Sequence, residues 1–285
     1  MRFFIIRPNA HLSLLTGIFF LLSPPVAAWT PLNLSIINSV SLFKEPDVKG
    51  LDISLLYLKS NSVAGIQISG IANETVDVFG IQAAGLVNAV TGNMRGIQIT
   101  GLGNLASDTL YGIQIGGANF VGDGYGIQAA PIINNAAGNF YGIQLGFIGN
   151  GWTIIEAPAA PTRLAGKKTS EVRKSIEASE QSKMVGIQYA LGANTATEMY
   201  GIQAGLIGNG ASEVYGAQIA ALINEASGNM YGIQAAFANT TGNMRGIQMG
   251  VINVCNTLKG LQIGLVNIVT SRSFPFTLGI NLGWK

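Results

Sequence analysis

Histidine, cysteine and charge are nearly missing from this sequence, and each gap removes a class of function. The single histidine, His11, lies in an N-terminal segment expected to be cleaved off. The rest of the chain therefore has no means to build a Ser-His-Asp or Cys-His catalytic group, or a His-ligated metal centre. Cys255 is the only cysteine. It forms no internal disulfide and reads as small apolar filler. Charged residues make up 11 % of the chain, about half the usual share. The carboxylates Glu74, Asp77, Asp108, Asp123, Glu198, Glu213 and Glu225 are scattered, and no pair recurs at a spacing suited to acid–base chemistry. Gly122-Asp123-Gly124 offers calcium a single carboxylate where about six to eight oxygens are needed. Gly166-Lys167-Lys168-Thr169 is not a phosphate loop, because Pro161 stands where the motif needs an upstream glycine. The expectation is a protein that is not an enzyme and carries no cofactor and no metal.

What is abundant is apolar and small. Hydrophobic residues reach 48 % and glycine numbers 38, which is incompatible with a disordered chain. Residues 1–28 read as an export signal. Arg2 and Arg7 precede an apolar run from Leu12 to Leu22, too short for a bilayer span, and Val26-Ala27-Ala28 supplies the small residues of a cleavage site. Cleavage after Ala28 removes two of the 16 basic residues, leaving 14 against 14 acidic ones. The mature chain is then neutral, which argues against a nucleic-acid partner.

The mature chain, 29–285, is one repeat domain. Gly-Ile-Gln begins at Gly65, Gly80, Gly96, Gly112, Gly126, Gly142, Gly186, Gly201, Gly232 and Gly246, with variants at Gly216 and Gly260. Spacings are 14 to 16 residues except for one jump of 44. An asparagine follows each glycine by seven or eight residues, from Asn73 to Asn267. Polar residues then lead to the next unit. The jump holds a charged insertion at 151–183, with Pro158 and Pro161 followed by a short polar helix capped by Ser170.

Each unit alternates with period two. Tyr231, Ile233, Ala235 and Phe237 share one face, and Gly232, Gln234, Ala236 and Ala238 the other. The fold class is therefore all-β, in tandem units of about 15 residues. Two architectures suit that unit. The favoured one is an antiparallel meander closed into a barrel, and the other is a parallel β-solenoid. Charge-free nine-residue strands match a membrane-spanning strand, and the tyrosines that open many strands would form girdles at both rims. Leu32–Phe43 and Phe276–Trp284 would meet to close the ring. Mid-unit residues such as Gly85, Gly101 and Pro131 suit β-bulges. Gly92, Gly138 and Gly242 supply turns needing positive φ. A solenoid would instead stack equivalent residues into Gln and Asn ladders.

The only recurrent polar chemistry is the glutamine of each unit: Gln67, Gln82, Gln98, Gln114, Gln128, Gln144, Gln188, Gln203, Gln218, Gln234, Gln248 and Gln262. These residues are expected to form a structural amide array, or to line a narrow lumen if the barrel encloses one.

Gly260-Leu261-Gln262-Ile263-Gly264-Leu265-Val266-Asn267 resembles the Gly-Leu-Gln-Ile-Gly-Leu-x-Asn unit of a family of exported bacterial surface-repeat proteins. The opening PLNLSIINSVSLF and the closing FPFTLGINLGWK are similar to that family's ends. The resemblance implies an exported, envelope-associated protein and carries no catalytic residues with it. The functional expectation is a structural repeat protein of the bacterial outer membrane or cell surface, whose partners are envelope components. Its alternatives are a narrow outer-membrane channel lined by glutamine, and a periplasmic or secreted solenoid adhesin.

Overall fold

The computed structural model describes residues 30–37, 40–41, 47–151 and 182–284. The expected export signal and the body of the 151–183 insertion lie outside the described residues.

Every regular element among the described residues is a strand, and together they wind into a parallel β-solenoid of about 13 turns. Neighbouring coils stack in register. Gly186, Ile187 and Gln188 pair with Gly142, Ile143 and Gln144 on one side, and with Gly201, Ile202 and Gln203 on the other. The antiparallel barrel does not form. Its main support was the lack of charge on both faces of each unit. In the solenoid one face is the closed interior and the other is an apolar outer surface, so neither requires lipid outside and a lumen inside.

One coil shows the anatomy. Val87–Val90 forms a short arm, the chain bends at Thr91, Gly92 and Asn93, and Met94–Thr100 forms a long arm. A second bend at Gly101 and Leu102 leads to the next short arm. In other coils, such as Gly208–Ala220, strand structure runs on from the short arm into the long one. The two corners differ sharply. One is polar, with residues such as Asp77, Asp108 and Glu213. The other is apolar, as at Leu206 and Ile207. Gly85, Gly101 and Pro131, expected as bulges, sit at the apolar corner and help turn the chain there. At about 4.8 Å per coil, the rod is roughly 60 Å long.

Positive φ falls elsewhere than expected. Gly92, Gly138 and Gly242 do not adopt it. The repeat glycines do, from Gly50 to Gly260, with φ of 131 to 145°. In each coil the glycine lies directly over its predecessor, and a Cβ on Gly232 would collide with the carbonyl oxygen of Gly216. Backbone conformation and close stacking thus both demand glycine at this position.

The interior has two halves. Near the polar corner, Met94, Leu110, Phe140, Met199 and Met230 from long arms pack on Val90, Ala106, Val121 and Ala226 from short arms. Near the apolar corner the interior is filled by amides. The two terminal strands cap opposite ends and do not meet. Thr30–Ile37 pairs parallel with Asp47–Ser69 and antiparallel with Val40–Ser41. Phe276–Trp284 pairs antiparallel with Ile252–Val269. The described residues stop at Gly151, after a short arm, and resume at Ser182, before the next long arm. The coils on either side of the insertion still pair directly, Gly142 with Gly186.

Candidate functional site

The twelve repeat glutamines form a single column, each at most 1 % exposed. Gln82 Nε2 donates to Gln67 Oε1, Gln98 to Gln82, and so on to Gln262, with every bond at 2.7–2.8 Å. Many reach across the core as well, as when Gln218 Nε2 donates to the Glu225 carbonyl at 3.1 Å. Among the described residues this column surrounds no passage. Its amides satisfy one another, as buried polar groups must.

A second column runs beside it. The asparagines from Asn73 to Asn267 are linked by Nδ2–Oδ1 bonds of 2.8–3.1 Å. Each one before Asn267 also donates to a long-arm carbonyl of the following coil, as Asn209 does to Ile219 at 2.9 Å. The constant offset of asparagine from glycine was the sequence signal for this column. Each asparagine donates toward the C-terminal coil, whereas each glutamine donates toward the N-terminal coil, so the two rows of amide dipoles oppose each other.

The column ends have specific partners. Gln67 donates to the Asp52 carboxylate at 3.1 Å, which also accepts from Asn33 and Ser60. Burial pushes the Asp52 carboxyl above its ordinary pKa, against the lowering effect of these donors. At the other end Asn281 Nδ2 donates to Gln262 Oε1 at 2.8 Å, and Asn267 Nδ2 to the Gly279 carbonyl at 2.9 Å. Only the first asparagine lacks a mate: Leu58 occupies the equivalent place in the coil before it, and Asn73 Oδ1 is buried without a hydrogen bond.

Among the described residues ionisable groups meet in small surface groupings. Tyr57 Oη and Lys59 Nζ both donate to Glu74 at 2.6 Å. Burial and then the Glu74 contact push the Tyr57 phenol up to about 12, and the Lys59 and Tyr57 bonds hold Glu74 below the usual carboxylate range. This trio braces two adjacent coils. Cys255 is buried and pushed up to about 11 by desolvation, so its thiol stays protonated. Among the described residues no cluster of His, Cys, Asp and Glu could hold a metal.

The outer surface is sharply sorted. From the repeat glycine to the asparagine no unit contains a charged residue. The outward side chains of this stretch are large and exposed, for example Ile219 at 50 %, Leu206 at 58 % and Phe237 at 54 %. A shallow groove crosses this surface where Gly101, Gly116, Gly117 and Pro131 replace bulkier residues. Along the margin of the long arms, just before each glycine, runs a row of aromatic and cationic side chains. The tyrosines expected at two rims all fall in this one row, because parallel coils put equivalent residues on one line. Tyr111, Tyr125 and Tyr141 stack at 4.9–5.0 Å, and Tyr200, Tyr215 and Tyr231 at 4.7–4.8 Å. Arg95 lies over Tyr111 and Arg245 over Tyr231.

No family model, curated protein or solved structure matches this chain.

Proposed function

We propose that this chain is a non-enzymatic structural protein of the bacterial cell envelope, exported and held at the outer membrane or cell surface as a rigid rod. The observation that carries this reading is the fate of the recurrent polar groups. Both amide columns are consumed in internal bonding, and what the repeat leaves outside, over the long arms and the apolar corner, is a charge-free apolar surface bordered by a polar edge. A contiguous exposed apolar surface of this extent marks an interaction surface. A scaffold whose coils each bond mainly to their neighbours suits a length-spanning role. The resemblance of residues 260–267 to surface-repeat units and the signal-like first 28 residues point the same way.

The test is expression of the full chain in a Gram-negative host, followed by N-terminal sequencing and fractionation. Cleavage after Ala28 and recovery with the envelope fraction are expected. An uncleaved protein found wholly in the cytosol would sink the proposal. Cleaved protein in the detergent-free soluble fraction would favour a periplasmic or secreted adhesin.

A further inference from the structure

We infer that the outer face of the long arms, together with the apolar corner, is a lipid-binding face that lays the solenoid flat on a membrane surface, immersed to the level of its tyrosine and cation row. The inference rests on the envelope reading above and names the partner.

Three features of the rod argue for lipid. The apolar face carries no charge from glycine to asparagine in any unit, over roughly 60 Å at about 4.8 Å per coil. Its long-arm margin has the composition of a membrane interface, where tyrosine bodies meet the acyl region and their hydroxyls reach water. The orientation fits, since the Tyr200 hydroxyl donates to Glu198 at the polar corner, at 3.3 Å. The charges in that row are all positive and exposed: Lys49, Arg95, Arg245 and Lys259, complementary to lipid phosphates. Acids such as Asp77, Asp123 and Glu213 lie beyond the row, at the polar corner away from the lipid.

Two other occupants fit less well. Sugars stack on open aromatic faces, whereas within each tyrosine triplet the rings lie face to face, with interplanar angles of 3–8°. A second copy of the chain meets the cations. They stand at both ends of the row with no acid among them. Face-to-face pairing would set the row against its own equivalent, cation on cation, or against the partner's apolar corner. A headgroup layer satisfies the row in either direction along the rod.

The test is flotation of the purified mature protein with vesicles of phosphatidylethanolamine and phosphatidylglycerol, and separately with phosphatidylcholine vesicles. Wild type should float with both, and more strongly with the anionic mixture. A variant carrying Ile202→Glu, Leu206→Glu and Phe237→Glu alters only exposed side chains. It should keep its circular dichroism spectrum and lose vesicle binding about tenfold or more. Arg95→Gln with Arg245→Gln and Lys259→Gln should remove the preference for anionic vesicles while leaving phosphatidylcholine binding intact. Failure of wild type to float, or equal flotation of the Glu variant, would overturn the inference. A concentration-dependent dimer abolished by the Glu substitutions, without flotation, would assign the face to a second copy. Envelope recovery in cells without vesicle flotation would remove the lipid face and leave the structural reading standing.

Discussion

Replacing one glutamine in mid-column is expected to cost as much as replacing two adjacent ones. Gln218 donates to Gln203 Oε1 and accepts from Gln234 Nε2, both at 2.8 Å. Gln218→Met keeps the volume close and strands Gln203 Oε1 and one N–H of Gln234, whose Nε2 keeps its bond to the Thr240 carbonyl. Each buried orphan costs about 1–3 kcal/mol, so the single substitution should lose about 2–6 kcal/mol. Gln234→Met likewise strands two groups, the oxygen of Gln218 and the amide of Gln248. In the double variant the groups between the two sites are gone, and within the column only Gln203 Oε1 and one N–H of Gln248, whose Nε2 keeps its bond to the Val254 carbonyl, lose their partners. Two orphans remain where the separate substitutions would sum to four. The double-mutant cycle should therefore show a coupling of about 2–6 kcal/mol, equal to the value of two orphaned groups. Urea denaturation followed by far-UV circular dichroism measures the losses. Native-state hydrogen exchange localises them if the coils do not unfold together. Losses that add, within about 0.5 kcal/mol, would refute the column as a chain of mutually dependent bonds.

Three further outcomes follow from the same geometry. Gly232→Ala should cost about 3 kcal/mol or more, through positive φ and collision with the coil below, while Gly210→Ala, whose new methyl meets only Thr195 Cγ2 at an ordinary 4.0 Å, should melt within a few degrees of wild type; equal melting temperatures would contradict this. Asn209→Leu should cost about 2–5 kcal/mol by stranding its neighbours, whereas Asn73→Leu moves an existing orphan by one coil, removes one bond to the Ala83 carbonyl, and should cost about 1–2 kcal/mol; denaturant midpoints compare the two. Asp52 has a folded pKa raised above its unfolded value, so its contribution is fully present below the ordinary 3.8 and is lost as pH rises through the folded value. Asp52→Asn should accordingly be more stable than wild type at pH 7 and lose that advantage below about pH 4; a constant difference across pH would show that the carboxyl is not strained by burial.

Much of this rod was legible in the chain. The period-two face that places Ile233 outside and Gln234 inside, the unit length, and the polar residues between units all appear in the coils as read. Unit length and patterning alone did not decide strand direction, because a unit of about 15 residues with one polar turn suits either a spanning strand or a full coil. The apolar corner hid the difference. Leu206 and Ile207 turn the chain without a polar or proline signal, so the long arm, the corner and the start of the short arm read as one unbroken strand. The tyrosine row shows the same ambiguity, since residues spread over two rims by alternating strands fall on one line in parallel coils. The identity of glutamine and asparagine in every unit was the real indicator of parallel stacking. A side-chain amide that must bond to its counterpart one coil away tolerates no substitute, while a lumen or lipid face would tolerate several.

The opposed columns also give the rod unlike ends. Stripped of its terminal strand, the C-terminal end would present glutamine oxygens and asparagine N–H groups. The N-terminal end, without Asp52 and its neighbours, would present glutamine N–H groups and asparagine oxygens. Those sets are complementary, so an uncapped rod is a monomer for head-to-tail polymerisation that never closes. Asp52 and Asn281, one near each end of the rod, occupy the end glutamines that such growth would need.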